Sequence, residues 1–161
     1  MKRPLIIGLG NPLMGDDGAG SRVVELLSAD PAVQARADLE WAGTDLFRAA
    51  GWMEGREWVI LVDAAESTGR AGQGVGEISL VEGGLQETHA QQAHALSAAQ
   101  ALELLCKVTP SLAGTRFTWV LIHVAAAQTT AGLSAEVSAA TTLAAYLIRG
   151  KLDQWETRPN L

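Results

Sequence analysis

The sequence predicts an α/β protein: a three-layer αβα sandwich around a central, mostly parallel five-stranded twisted sheet with one antiparallel strand. Three observations lead there. Short β-branched apolar runs (LIIGL, WVILVDA, RFTWVLIHV) alternate with stretches of helical apolar spacing. Those runs are apolar at consecutive positions, the pattern of strands buried on both faces of a parallel sheet. One segment, GEISLVE, instead alternates apolar and polar residues and reads as an edge or antiparallel strand.

The elements follow in order. Pro4–Gly10 is the first strand, ended by glycine. A helix spans Ala19–Ala29 with Val23, Val24, Leu26 and Leu27 on one face, and Pro31 stops it. Ala37–Gly43 is the second strand. Thr44–Gly51 is a short helix, with Thr44 as N-cap and Gly51 closing it. Glu57–Ala64 is the third strand, with Asp63 at its end. The glycine-rich AESTGRAGQGVG is a loop, Gly76–Glu82 the alternating strand, and Gly83–Gln92 a polar irregular stretch. A helix from His94 to Lys107 and a fifth strand, Arg116–Ala125, follow. The last helix is Ser134–Gly150, with Ser134 as N-cap and Glu136 in its first turn. Residues 1–150 make a single domain, and 151–161 read as a polar tail.

Composition narrows the function classes. At 161 residues, with 48% hydrophobic and 19% charged residues, the chain can bury a sizeable core and is not of disordered type. A net charge of −6 without a Lys or Arg cluster speaks against nucleic acid. Cys106, the single cysteine, reads as a small buried hydrophobe in an apolar helix. The apolar run after Lys2 and Arg3 is too short for a signal peptide or membrane span, so the expected location is cytoplasmic, with no membrane partner.

Ligands of open α/β sheets gather at the carboxyl ends of the strands. The first strand delivers Asn11, Asp16 and Asp17 there, the second Gly43 and Thr44, the third Asp63 and Glu66. His94 starts the helix after the fourth strand, with His89 just upstream, and His123 lies near the end of the fifth. Two carboxylates and an imidazole from separate connections suit a borderline divalent metal such as zinc or nickel, with a position left open for water or substrate. Structural readings compete. Asp16 and Asp17 suit the positive end of a helix, and they can divide, Asp16 capping while Asp17 projects into the cleft. Asp63 beside a buried strand needs partners whatever its role. His94 suits a capping position, and His123 a core or wall position. The glycines at 8, 10, 15, 18 and 20 do not make a dinucleotide fingerprint, because GLGNPL lacks the third glycine, and no GKS or GKT marks a P-loop. They read as residues that let the backbone turn tightly between strand and helix.

The stretch IIGLGNPLMGDDGAGSRVVELL resembles the hydrogenase maturation proteases, endopeptidases that trim the large subunit of nickel-iron hydrogenases. LEWAGT, WVILVDAAESTGRAG, HALSAAQALELL and GLSAEVSAA extend the resemblance over most of the chain. It implies a metal-contacting triad at Asp17, Asp63 and His94, with Asp16 shaping the turn and Gly43 and Thr44 fitting the substrate. This chain departs from the family's Ser-Pro-His or Thr-Pro-His, having ETHAQQAHALS, so His89 is the alternative to His94. The resemblance further implies a partner, the precursor of a [NiFe]-hydrogenase large subunit, and nickel carried by that substrate rather than bound at rest. Bacterial peptidyl-tRNA hydrolases share LIIGLGNP but continue with a His-Asn element absent here. A metal-sensing adaptor without catalysis is the other alternative.

Overall fold

The computed structural model describes residues 2–84, 97–126 and 132–158. Its sheet contains β1 (Leu5–Leu9), β2 (Asp38–Gly43), β3 (Trp58–Glu66), β4 (Ile78–Glu82) and β5 (Arg116–Val124), in the order β2-β1-β3-β5-β4. Every pairing is parallel except β4 with β5, which is antiparallel and leaves β4 at one edge. The expected class and the odd strand are both as the patterning implies.

Consecutive apolar residues are needed because both faces are covered. Ile6, Ile60, Val62, Val120 and Ile122 pack with Val23 and Leu27 of α1 (Ala19–Ser28) and with Val137, Ala144 and Ile148 of α5 (Ala135–Glu156). Leu5, Ile7, Val59, Leu61, Trp119 and Leu121 face the other way. They pack with Met53 of α3 (Ala50–Met53) and with Ala101, Leu102 and Leu105 of α4 (Ala98–Val108). Each such aliphatic side chain contributes about 1.5–3 kcal/mol by leaving water, which is why the sheet is the stable centre of the molecule. Among the described residues no helix is long and apolar enough to cross a membrane.

Several boundaries differ from expectation, each for a local reason. Pro31 does more than stop α1. It starts α2 (Pro31–Gln34), with the Asp30 carboxylate accepting from the Ala32 N–H at 2.9 Å, because proline's fixed φ suits a first helical position. The helix expected at Thr44–Gly51 is a 3-10 turn, Leu46–Ala49, running into α3. Its cap is Asp45, not Thr44, and Gly51 lies inside α3. β3 runs past Ala64 to Glu66, so Asp63 lies within the strand and not at its end. It still stands beyond the last β1–β3 pair, Gly8 with Val62, while remaining opposite Leu121 of β5.

α4 begins at Ala98, four residues later than expected. Ser97 closes a capping box with Gln100: its hydroxyl accepts from the Gln100 N–H at 3.2 Å, and its own N–H donates to Gln100 Oε1 at 2.9 Å. His89 and His94 lie outside the described residues.

Residues 151–156, expected as tail, instead continue α5 to Glu156. Leu152 follows Ile148 at helical spacing and is buried, and Trp155 stacks on Trp58 with centroids 4.7 Å apart. Lys151 Nζ donates to Glu82 at 3.1 Å and Arg158 to Glu57 at 2.6 Å, pinning the helix end across the amino side of the sheet.

Candidate active site

The site is built on the connection between β1 and α1. Gly10 takes φ 107°, which favours glycine, and donates its N–H to the Gly43 carbonyl at 2.8 Å. The chain then folds back on itself. Met14 N donates to Asn11 O at 3.0 Å, Leu13 N to Asn11 Oδ1 at 3.0 Å, and Asp17 N to Met14 O at 3.2 Å. A 3-10 turn, Gly15–Gly18, presents the two aspartates in opposite roles.

Asp16 is buried, 4% exposed, and does not cap α1. Its Oδ1 accepts from the Ser134 N–H at 2.6 Å and its Oδ2 from the Ser134 hydroxyl at 2.9 Å. It therefore ties the first turn to the amino end of α5, 118 residues away. Both bonds end on a charged acceptor, each worth about 1.5–3 kcal/mol. Asp16→Ala is expected to lower unfolding free energy by about 3 kcal/mol in urea titrations. A double-mutant cycle with Ser134→Ala should be strongly non-additive. Additive effects would mean that the hydroxyl half of the tie carries no energy.

Asp17 is half-buried, and its Oδ2 accepts from the Asn11 N–H at 2.8 Å. That bond holds the carboxylate over the end of β1. Asp63, also half-buried, stands nearby on β3. Its neighbours Leu61 and Ala65 pack with α3 and α4, so alternation places Asp63 on that same face. Burial pushes the Asp63 carboxyl up to about 7, the charge of Asp17 adds to the rise, and a hydrogen bond from the Ala64 N–H opposes it. The two carboxylates therefore feel each other. A proton relieves that repulsion at low pH, and a cation can relieve it above.

The structure thus brings together two of the three residues expected at the site, Asp17 and Asp63. The third, His94, lies outside the described residues, and among the described residues no three His, Cys, Asp or Glu side chains gather as a metal site. Gly43 adopts φ 67° and its carbonyl joins the Gly10 N–H, while Thr44 is exposed beside it. His123 is buried, as a wall residue should be, with Nε2 2.7 Å from the Ser79 hydroxyl. Burial pushes the Cys106 thiol up, consistent with an inert cysteine.

Sequence reasoning missed Trp41, whose Nε1 donates to Gly10 O at 3.1 Å and which stands half out of the surface at the end of β2. WAGT carries it, one residue before a small pair, but nothing in a single sequence says which way an indole turns. A cavity of about 720 Å³ also opens between α4 and the first residues of β5, lined by Leu102, Cys106, Arg116 and Phe117 among others. It lies at the amino end of β5, away from the acidic pair, and its Arg116–Glu82 and Lys107–Glu103 ion pairs satisfy the charges around it.

No family model and no curated protein matches the chain. Solved structures do. The hydrogenase 2 maturation peptidase from Thaumarchaeota archaeon SCGC_AB-539-E09 is 32% identical with a TM-score of 0.65, over 94% of this chain and 98% of that one. The chain belongs to the hydrogenase maturation protease family. The [NiFe] hydrogenase maturation protease HybD from Thermococcus kodakarensis is 29% identical with a TM-score of 0.74, over 93% of this chain and 99% of that one. The hydrogenase maturating endopeptidase HybD from E. coli, at 23% identity and a TM-score of 0.73 over 94% and 93%, shares the fold. As a hydrogenase maturation protease the protein is a peptidase. Family membership gives neither the esterase nor the adaptor reading any support.

Proposed function

We propose that this hydrogenase maturation protease removes the C-terminal extension of a [NiFe]-hydrogenase large-subunit precursor after nickel has entered that precursor, and that it works in the cytoplasm. The observation that carries the reading is Asp63, half-buried beside Asp17 with its carboxyl raised to about 7. A carboxylate whose charge disfavours ionisation of its neighbour is placed to share a cation with it, and a nickel ion arriving on the substrate is such a cation. Oxygen donors with one imidazole suit nickel, and His94 is the imidazole the family resemblance assigns, with His89 as the alternative. α4 leads through a short 3-10 turn, Pro110–Leu112, to the start of β5, so its amino end points back toward the carboxyl ends of the strands. That direction supports a ligand contributed from just ahead of Ser97.

The substrate-borne ion polarises the scissile carbonyl and lowers the pKa of an attacking water. Asp17 is held by the Asn11 N–H and keeps its orientation while the ion docks. Asp63 loses its proton when the cation arrives. On this reading Asp63 or Asp17 then accepts the proton of the attacking water, an aspartate-type role within hydrogen-bond reach of the reacting bond. Gly43 and Thr44, next to Asp17 through the Gly10–Gly43 bond, hold the substrate chain.

The test is to mix the purified protein with large-subunit precursor, loaded with nickel or not, and follow intact mass. The expected result is loss of the C-terminal segment from the nickel-loaded precursor alone. Cleavage of both forms would remove nickel as the recognition signal, and cleavage of neither would remove the substrate assignment. His94→Ala and His89→Ala, assayed in parallel, separate the two histidines. Only the ligand's loss stops the reaction.

A further inference from the structure

Among the described residues ten large apolar side chains are exposed, and four of them lie near the carboxyl ends of β1 and β2, the end of the sheet that carries Asp17. Leu13 (77% exposed) and Met14 (42%) lie between β1 and α1, Trp41 (48%) at the end of β2, and Phe47 (42%) just after it. Scattered apolar residues on a surface need no explanation, but a group at the mouth of a site does.

Hydrogen bonds hold the Trp41 side chain and the main chain of Leu13 and Met14. The Trp41 indole is anchored by its N–H on Gly10 O at 3.1 Å, and its ring lies 3.9 Å from where a Gly43 Cβ would stand. Asn11, next in the chain, fixes Leu13 through its side chain and Met14 through its carbonyl. Met14 O in turn accepts the Asp17 N–H. The Gly10–Asn11 peptide unit therefore accepts from the indole at its carbonyl and donates to the Asp17 carboxylate at its N–H, so one peptide separates the apolar residue from the acidic site.

Charge says what can lie on it. Residues 10–18, 44–48 and 63–76, at and beyond the carboxyl ends of β1, β2 and β3, carry Asp16, Asp17, Asp45, Asp63 and Glu66 against Arg48 and Arg70. An acidic substrate segment is repelled there, and an uncharged apolar one is not.

We infer that Trp41, Leu13 and Met14 form a specificity shelf that holds an uncharged apolar side chain of the precursor beside the bond to be cut. The inference rests on the preceding reading that the precursor chain crosses Asp17 and Asp63. The shelf grips the substrate equally before and during the reaction, so it sets KM and not kcat. Burying one apolar side chain on it corresponds to roughly ten- to a hundredfold in binding.

The test is steady-state cleavage of nickel-loaded precursor by wild type, Trp41→Ala and Trp41→Phe. Trp41→Ala is expected to raise KM at least tenfold with kcat within twofold. Trp41→Phe keeps an apolar ring but loses the indole N–H, and is expected to stay within threefold of wild type in KM. An unchanged KM in Trp41→Ala, with wild type active, overturns the shelf alone. Equal KM losses in both variants also overturn it, because the bond to Gly10 is then what matters. No cleavage by wild type overturns the shelf together with the substrate assignment.

Discussion

Asp63→Asn is expected to stop cleavage and to make the resting protein more stable at pH 8. The native Asp63 carboxyl titrates at about 7, against 3.8 for an ordinary aspartate. Between these values the native state holds a proton that the unfolded chain has released. Stability therefore falls as pH rises from about 4 to about 7, and above 7 the whole cost is present. A shift of about 3 units at about 1.4 kcal/mol per unit sets an upper bound of roughly 4 kcal/mol. Partial exposure of Asp63 brings the expectation down to about 2–3 kcal/mol. Asparagine keeps the shape and cannot carry the charge, so at pH 8 the variant should melt roughly 4–10 °C above wild type. At pH 3.5, where the carboxyl is protonated in the native and in most of the unfolded state, the two should melt nearly together. Cleavage of nickel-loaded precursor should drop at least about a hundredfold, since a neutral amide neither balances a cation nor takes a proton. Melting curves at the two pH values and one cleavage assay check both halves. A variant that is no more stable than wild type at pH 8 would show that Asp63 is not a strained carboxyl. On the proposed reading the opposition follows, because carboxylates placed to share a cation repel one another until it comes.

That opposition was partly legible in the sequence. Strands announce themselves through consecutive apolar residues, so LIIGL, WVILV and FTWVLI predicted a sheet covered on both faces, and GEISLVE the antiparallel edge. Carboxyl ends of strands gave Asp16, Asp17, Asp63 and Glu66 among others, the family resemblance singled out Asp17 and Asp63, and the structure brings those two within electrostatic reach. What stayed hidden depends on partners far along the chain. Asp16 looks like a helix-capping residue because its local context permits it, yet its bonds go to Ser134. Ser134 was itself legible as a cap, and nothing local connects the two. The end of α5 was missed because KLDQWE is mostly polar, and only packing on β3 and β4 reveals Leu152 and Trp155 as the buried stripe of a longer helix. Capping by Asp45 over Thr44 turns on which oxygen reaches the Phe47 N–H, a choice that composition leaves open.

The glycines of the first connection were legible as necessary but for only half of the reason, and Gly20→Ala exposes the other half. Gly10 and Gly15 have positive φ and do turn the chain. Gly20 has no such need, since it sits in the first turn of α1. A Cβ there would stand 2.3 Å from Leu9 O, 2.5 Å from Val62 O and 2.9 Å from Leu9 N. All three are backbone atoms of β1 and β3, so no rotamer change can make room. Gly8 on β1 is the matching surface, with its own Cβ position 2.5 Å from Gly20 O. The helix rests directly on the sheet, and an added methyl has to lift it. Lifting α1 loosens Val23 and Leu27, both fully buried. The expected loss is about 3 kcal/mol or more, the upper end for overpacking a core, or roughly 6–12 °C in melting temperature. Gly150→Ala is the contrasting variant. Gly150 is inside α5 with nothing within 4 Å of its Cβ position, so alanine there is expected to stabilise by about 0.5–1 kcal/mol. The 3-10 turn carrying Asp16 and Asp17 runs straight into α1, so a lifted helix also shifts the carboxylates. Cleavage by Gly20→Ala should therefore fall even at temperatures where the variant is fully folded. A Gly20→Ala protein that melts and cleaves like wild type would mean that the strand–helix contact tolerates a methyl, and that Asp17 is positioned by its Asn11 bond alone.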